Sequence, residues 1–233
     1  MTALIWDLDD TLYNLMLPFK NACESTLGIS LKDPEYAYKR FRFRGDEVFE
    51  ASQRGEISLF DSRIYRFQKA MEDCGIQVSE TQAALFQETY KTQQMQISLS
   101  EEMKALLEEC KNRKVLMAVL TNGPLSHQLD KVHALGLLEW IPRENIFISG
   151  EIGYIKPDVQ SFRTVEKALD LDPEESLMIG DNYSSDIKGA MEAGWKTLWF
   201  NRRKKERPAD SPAPDHTVDT EEELSCLIKR IIR

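Results

Sequence analysis

The fold is decided by the stretch Ala3-Leu4-Ile5-Trp6-Asp7-Leu8-Asp9-Asp10-Thr11-Leu12. Four apolar residues run directly into acids, which reads as a short buried strand and its exit. If the extended geometry persists past Trp6, Asp7 and Asp9 project to one side, because side chains alternate along a strand. Two adjacent carboxylates repel. A divalent cation or a shared proton removes that repulsion. Open α/β sheets bind ligands beyond the C-terminal ends of their strands, where this cluster falls.

Similar apolar runs recur at residues 115–120, at Ile146-Phe147-Ile148, at Leu177-Met178-Ile179 and at residues 197–200. Helical patterns lie between them. Met103, Leu106, Leu107 and Cys110 share one helical face, as do Phe162, Val165 and Leu169. Thr220 with Glu223 opens a last amphipathic helix as a capping box. Strands alternating with helices predict a doubly wound, Rossmann-like parallel sheet, class α/β.

Residues 15–98 break the alternation. Phe60, Ile64, Phe67 and Met71 form a helical stripe there, and Ser79 with Gln82 marks another helix start. The expected organisation is an α/β core of residues 1–14 and 99–233 with an α-helical insert of residues 15–98. A length of 233 residues suits one domain plus a smaller one.

The formal charge is −9, which argues against a nucleic-acid polymer as partner. The run Arg202-Arg203-Lys204-Lys205 reads as a solvated loop. No apolar run approaches the roughly 20 residues that span a bilayer. Cys23, Cys74, Cys110 and Cys226 form no CxxC pair, and no secretory leader is legible, so a reducing cytoplasm is expected.

Three further motifs follow strand-like runs. Gly180-Asp181-Asn182-Tyr183-Ser184-Ser185-Asp186 supplies a second acidic pair. Thr121-Asn122-Gly123 offers a hydroxyl, an amide and a flexible backbone at a helix start, which suits phosphate oxygens. Lys156-Pro157-Asp158 supplies a cation, with Pro157 expected in the first helical turn. Taken singly, each has a plainer reading: Asp181 as a helix cap, Thr-Asn-Gly as a turn, Lys156 as a surface side chain. All four in one order at strand exits point to a site.

This ordered set resembles the haloacid dehalogenase superfamily, and the resemblance covers essentially the whole chain. It implies an inserted helical cap and a Mg²⁺-dependent phosphoryl-transfer site. Asp7 would be the nucleophile. Asp9 would be general acid, then base, and would lend its main-chain carbonyl to the metal. Asp181 and Asp186 would complete the metal site with Asp7. Thr121, Asn122, Gly123 and Lys156 would hold the phosphoryl group, and Lys156 would also offset the charge of Asp7. The acid at position 9 favours phosphate-ester hydrolysis over dehalogenation, with a phosphosugar mutase as the alternative. The expected partner is a small-molecule phosphate ester, and the expected assembly a monomer or homodimer.

Substrate choice would lie in the insert. Arg40, Arg42, Arg44, Arg54, Arg63 and Arg66 occur there with Tyr36, Tyr38, Phe41, Phe43, Phe49, Tyr65 and Phe67. The segment Arg54-Gly55-Glu56-Ile57-Ser58 is similar to the caps of nucleotide phosphatases, so a nucleoside 5′-monophosphate is the leading expectation. Flavin mononucleotide and a sugar phosphate are rivals. The plainer reading makes these residues surface charges and core aromatics.

Overall fold

The computed structural model describes residues 3–232; the side chains of Phe49, Glu50 and Gln53 lie outside that description, and with them any role for Phe49. The chain divides into two compact units, residues 1–14 with 98–233 and residues 15–97.

The first unit is a six-stranded, fully parallel sheet. Its strands are β1 (Ala3–Trp6), β2 (Met117–Thr121), β3 (Ile146–Ile148), β4 (Ser176–Gly180), β5 (Lys196–Phe200) and β6 (His216–Val218). Their order is β3-β2-β1-β4-β5-β6. The chain moves outward from β1 in one direction and then in the other, so the exits of β1, β2 and β4 meet at the point where the winding reverses. All residues of β1, β2, β3 and β4 are buried, as a sheet covered on both faces requires.

Two strands differ from expectation. The second begins at Met117, not at residue 115, because Val115 is still bonded to the Cys110 carbonyl and Lys114 has a left-handed φ of 57°. The sixth was not anticipated. It is three residues long with two exposed, so it carries no apolar run and exists through its pairing with β5.

The inserted unit consists of α1 (Met16–Leu27), α2 (Pro34–Gln53), α3 (Leu59–Asp73) and α4 (Glu80–Gln94). Ser58 caps α3, and Ser79 with Gln82 makes a reciprocal capping box on α4. Phe19, Phe41, Phe67 and Phe86 fill its centre. The Phe67 and Phe86 rings stack at 3.6 Å between centroids. Ile64, Phe67 and Met71 face this core, whereas Phe60, at the outer end of α3, stays 53% exposed.

In the first unit the remaining helices are α5 (Glu101–Asn112), α6 (Leu125–Ala134), α7 (Ser149–Ile152), α8 (Val159–Leu169), α9 (Lys188–Glu192) and α10 (Glu221–Ile231). Ser100, Asp158 and Thr220 cap α5, α8 and α10. The box expected at Thr220 is half made: Thr220 accepts from the Glu223 amide, but the Glu223 carboxylate accepts from Asp219. Pro157 precedes the cap of α8 instead of entering its first turn, because Asp158 takes the capping position. No described helix is long and apolar enough to cross a membrane.

Candidate active site

The amide of Asp7 donates to the Ile179 carbonyl at 2.8 Å, so the chain stays extended as far as Asp7. It then turns. Leu12 N bonds Leu8 O, and Asp10 adopts a left-handed φ of 65°. Asp7 and Asp9 therefore do not meet on one side, as simple alternation suggested, but pair with different lysines. Each enters a different polar pocket.

The first pocket is built on Lys156, whose side chain is 1% exposed. Its Nζ lies 2.8 Å from Asp7 Oδ1 and 2.8 Å from Asp186 Oδ1. Thr11 Oγ1 donates to Asp7 Oδ2 at 3.1 Å. Asn122 fixes the backbone of Lys156 twice: its Oδ1 accepts the Lys156 amide and its Nδ2 donates to the Lys156 carbonyl, both at 2.9 Å. The loop after β2 is thereby tied to the loop before α8. Gly123 N donates to Ser149 Oγ at 2.9 Å, and a Cβ on Gly150 would sit 2.8 Å from the Gly123 carbonyl. Only glycine permits that approach.

Asp186 comes from the single π-helical turn Tyr183–Ile187 that follows β4. Its carboxylate accepts the Asn182 amide at 3.0 Å and packs onto Gly180, where any Cβ would collide with it. Asp181 leaves β4 directly and pairs with Lys205 at 2.7 Å.

Asp7, Asp181 and Asp186 each offer a carboxylate oxygen within 4.8 Å of the others. Burial, then Asp186 and Asp181, push the Asp7 carboxyl up to about 8 against the pull of Lys156. Burial and Asp186 push Asp181 up to about 6 against the pull of Lys205. One ammonium serves both Asp7 and Asp186, so negative charge is in surplus, while the same two carboxylates outweigh burial and hold Lys156 firmly protonated. Hard oxygen donors and excess negative charge fit a small divalent cation.

The second pocket holds Asp9. Lys131 Nζ lies 2.7 Å from both of its carboxylate oxygens. Tyr13 OH donates to Oδ1 at 2.5 Å and Gln128 Nε2 to Oδ2 at 3.1 Å. Burial works to raise this carboxyl, but Lys131, Tyr13 and Gln128 hold it below the usual carboxylate range. Gln128 Nε2 also lies 2.7 Å from Thr121 Oγ1 and 3.0 Å from the Asn122 carbonyl, so its two hydrogens are shared among three acceptors. With a lone pair so occupied, the Thr121 hydroxyl keeps its own hydrogen to donate.

Sequence reasoning missed Gln128 and Lys131. They sit at i and i+3 of α6, on the same buried face as Val132, and a cation on a face otherwise read as apolar was the available signal. It also misread the basic run. Arg203 is bidentate to the buried Asp10, at 2.8 and 2.6 Å. Arg202 donates to the Thr11 carbonyl and to Glu221. Lys205 reaches Asp181. Three of the four cations dock onto the acidic motifs; they are not a solvated loop, because the surplus negative charge there draws them in.

Comparison with known proteins shows the family. A sequence model of the haloacid dehalogenase-like hydrolases matches residues 1–194. The chain is 34% identical to a phosphoserine phosphatase of Thermus thermophilus, over 94% of this chain and 95% of that protein. It is 28% identical to a ribulose-1,5-bisphosphate 5-phosphatase of Halopiger xanaduensis, over 97% and 99%. Its fold matches that of the magnesium-bound HAD-hydrolase YfnB of Bacillus subtilis with a TM-score of 0.68 at 22% identity, over 97% and 98%. The chain thus belongs to the haloacid dehalogenase-like hydrolases, among their phosphoric monoester hydrolases.

Proposed function

We propose that the protein is a Mg²⁺-dependent phosphatase of small phosphomonoesters that works through an aspartyl-phosphate on Asp7. The observation that carries this reading is the buried bridge of Lys156 Nζ to Asp7 and Asp186, 2.8 Å on each side, at the exit of the central strand. It sets a fixed cation against the carboxylate that this reading takes as the nucleophile.

In this reading an Asp7 oxygen attacks phosphorus and the ester P–O bond breaks, with Asp9 giving its proton to the leaving oxygen. Water then attacks phosphorus and Asp9 takes its proton, which frees Asp7 and inorganic phosphate. Thr121 and Lys156 donate to the phosphoryl oxygens, with Asn122 and Gly123 shaping the loop that presents them. Asp7, Asp181, Asp186 and the Asp9 carbonyl would hold Mg²⁺, which supplies charge neutralisation between carboxylate and phosphate. The first unit is then the catalytic core and the insert, which enters directly after the acidic motif, its substrate-selecting cap.

Within this class a nucleoside 5′-monophosphate is the candidate drawn from the sequence. Four of the six arginines behind it are engaged within the insert: Arg40 and Arg44 on Asp73, Arg54 on Glu56, and Arg66 over the Phe41 ring. A substrate panel should therefore weigh phosphoserine, flavin mononucleotide and sugar phosphates equally with nucleotides. The reading assigns the protein to the cytoplasm, where its four free cysteines would stay reduced, and takes it as a monomer or homodimer.

The test is phosphate release from p-nitrophenyl phosphate. It should require Mg²⁺ and stop with EDTA, and Asp7→Asn should lower it by about 10³-fold or more with unfolding unchanged. Full activity in Asp7→Asn would sink the assigned nucleophile.

A further inference from the structure

We propose that Arg42, Arg63 and Arg66, where α2, α3 and α4 of the insert meet, form a binding site for an oxyanion, the phosphate or carboxylate group of a small molecule.

Other cations of the insert are neutralised in place. Asp73 takes Arg40 and Arg44, Glu56 takes Arg54, and Glu72 takes Lys69. Arg42, Arg63 and Arg66 form no such pair: among the described residues, no carboxylate lies within ion-pair distance of them. Arg66 is half-buried, and its stem passes Gly45 of α2, where a Cβ would sit 3.7 Å from Arg66 Cδ. Its guanidinium lies 4.3 Å over the Phe41 ring. That contact takes the flat face only; the N–H bonds radiate in the guanidinium plane and need acceptors of their own. They find few. Nε is buried without a partner, and Nη2 has a long contact of 3.4 Å to Gln87 Oε1. The same Gln87 side chain donates to the Arg63 carbonyl at 3.3 Å, which ties α4 to this part of α3.

Burial, then Arg63 and Arg42, push the Arg66 guanidinium below the usual arginine range, against the pull of Tyr90 and Tyr38. Arg42 donates to the Tyr38 hydroxyl, and Asp46 acts on it from beyond contact. Three like charges at one helix junction repel, and a buried donor without an acceptor lowers stability. A bound oxyanion offsets both effects. Its paired oxygens also match the edge of a guanidinium held flat by a ring. A neutral ligand would leave the repulsion in place, and a cation would add to it.

The test reads the site directly and needs no turnover. In the full-length protein with Mg²⁺, arginine side-chain N–H signals are followed by NMR while sulfate is added, with the Arg66 Nε–H signal assigned by its loss in Arg66→Lys. That signal should shift saturably with sulfate and stay in place with chloride at equal ionic strength. Arg42→Gln combined with Arg63→Gln removes two of the three charges at exposed positions and should weaken sulfate binding there by about tenfold or more. No saturable shift, or one that the double variant leaves unchanged, would overturn the site. Two alkyl phosphates, alike except for a carboxylate on one, then separate the sources of the oxyanion. A KM raised by the double variant only for the carboxylate-bearing ester assigns it to the substrate; KM values unchanged for both esters assign it to a second ligand. Absence of turnover on either ester by the unmutated protein would overturn the phosphatase reading and leave the sulfate result standing.

Discussion

The two units bury different things. Around Asp7 the chain encloses Asp10, Lys131, Lys156, Asp186 and Arg203, all with little solvent access. In the inserted unit the one polar or charged residue buried as a whole, among the described residues, is Ser62, and the interior is aromatic and aliphatic. Its charges lie nearer the surface, as with Asp73, which hydrogen bonds from Arg44 and then Arg40 pull down to about 2 against partial burial. Buried ion pairs give little net stability, because desolvation offsets their attraction. A domain selected for stability alone would look like the insert. The ionic interior of the first unit is therefore explained by chemistry, and its removal should behave differently from removal of apolar bulk.

Four measurements would break or sharpen that contrast. Arg203→Ala removes the cation seated on buried Asp10 and should destabilise the first unit by about 3–5 kcal/mol in urea unfolding. A loss no larger than a surface substitution would mean the turn at Asp10 holds without it. Phe86→Ala opens a cavity beside four aromatic rings and should remove about 3–5 kcal/mol from the insert. The contrast predicts that these two similar losses differ in kind: restoring an apolar side chain at 86 recovers stability, whereas at 203 only a cation does.

The third is the pH dependence of Mg²⁺ binding. Asp7 and Asp181 are raised to about 8 and about 6, so they hold protons that must leave before a cation binds. Apparent affinity should rise by about tenfold or more from pH 6 to pH 8 and then level off, read by calorimetry. A flat profile would break the link between the acidic cluster and the metal. The smallest effect is expected at Arg54, whose partner Glu56 is as exposed as it is. Arg54→Ala should shift stability by about 0.5 kcal/mol or less.

Much of this molecule is readable from its chain. Strands β1 and β3 are continuous apolar runs, and the capping serine and glutamine of α4 stand three apart as the motif requires. β6 left no such trace, because His216 and Thr217 are exposed and only pairing makes them a strand. The site divides in the same way. Asp7, Thr121, Lys156 and Asp181 each follow an apolar run or precede a helix, and local pattern marks such positions. Gln128, Lys131, Arg203 and Lys205 sit where local pattern does not say what they bind, and they became partners of the acids only through contacts spanning 24 to 193 residues.

The amino-acid sequence by itself determined the parallel sheet, the helical interruption after its first strand and the acids at the strand exits. These follow from hydrophobic period and from residue type, which are local. Tertiary structure alone decided how charge is apportioned inside the site. It separated Asp7 from Asp9, gave one ammonium to two carboxylates, and drew a distant basic run onto Asp10 and Asp181. Coulombic pairing depends on distance in space, and the reversal of winding beside β1 is what brings those distant residues within it.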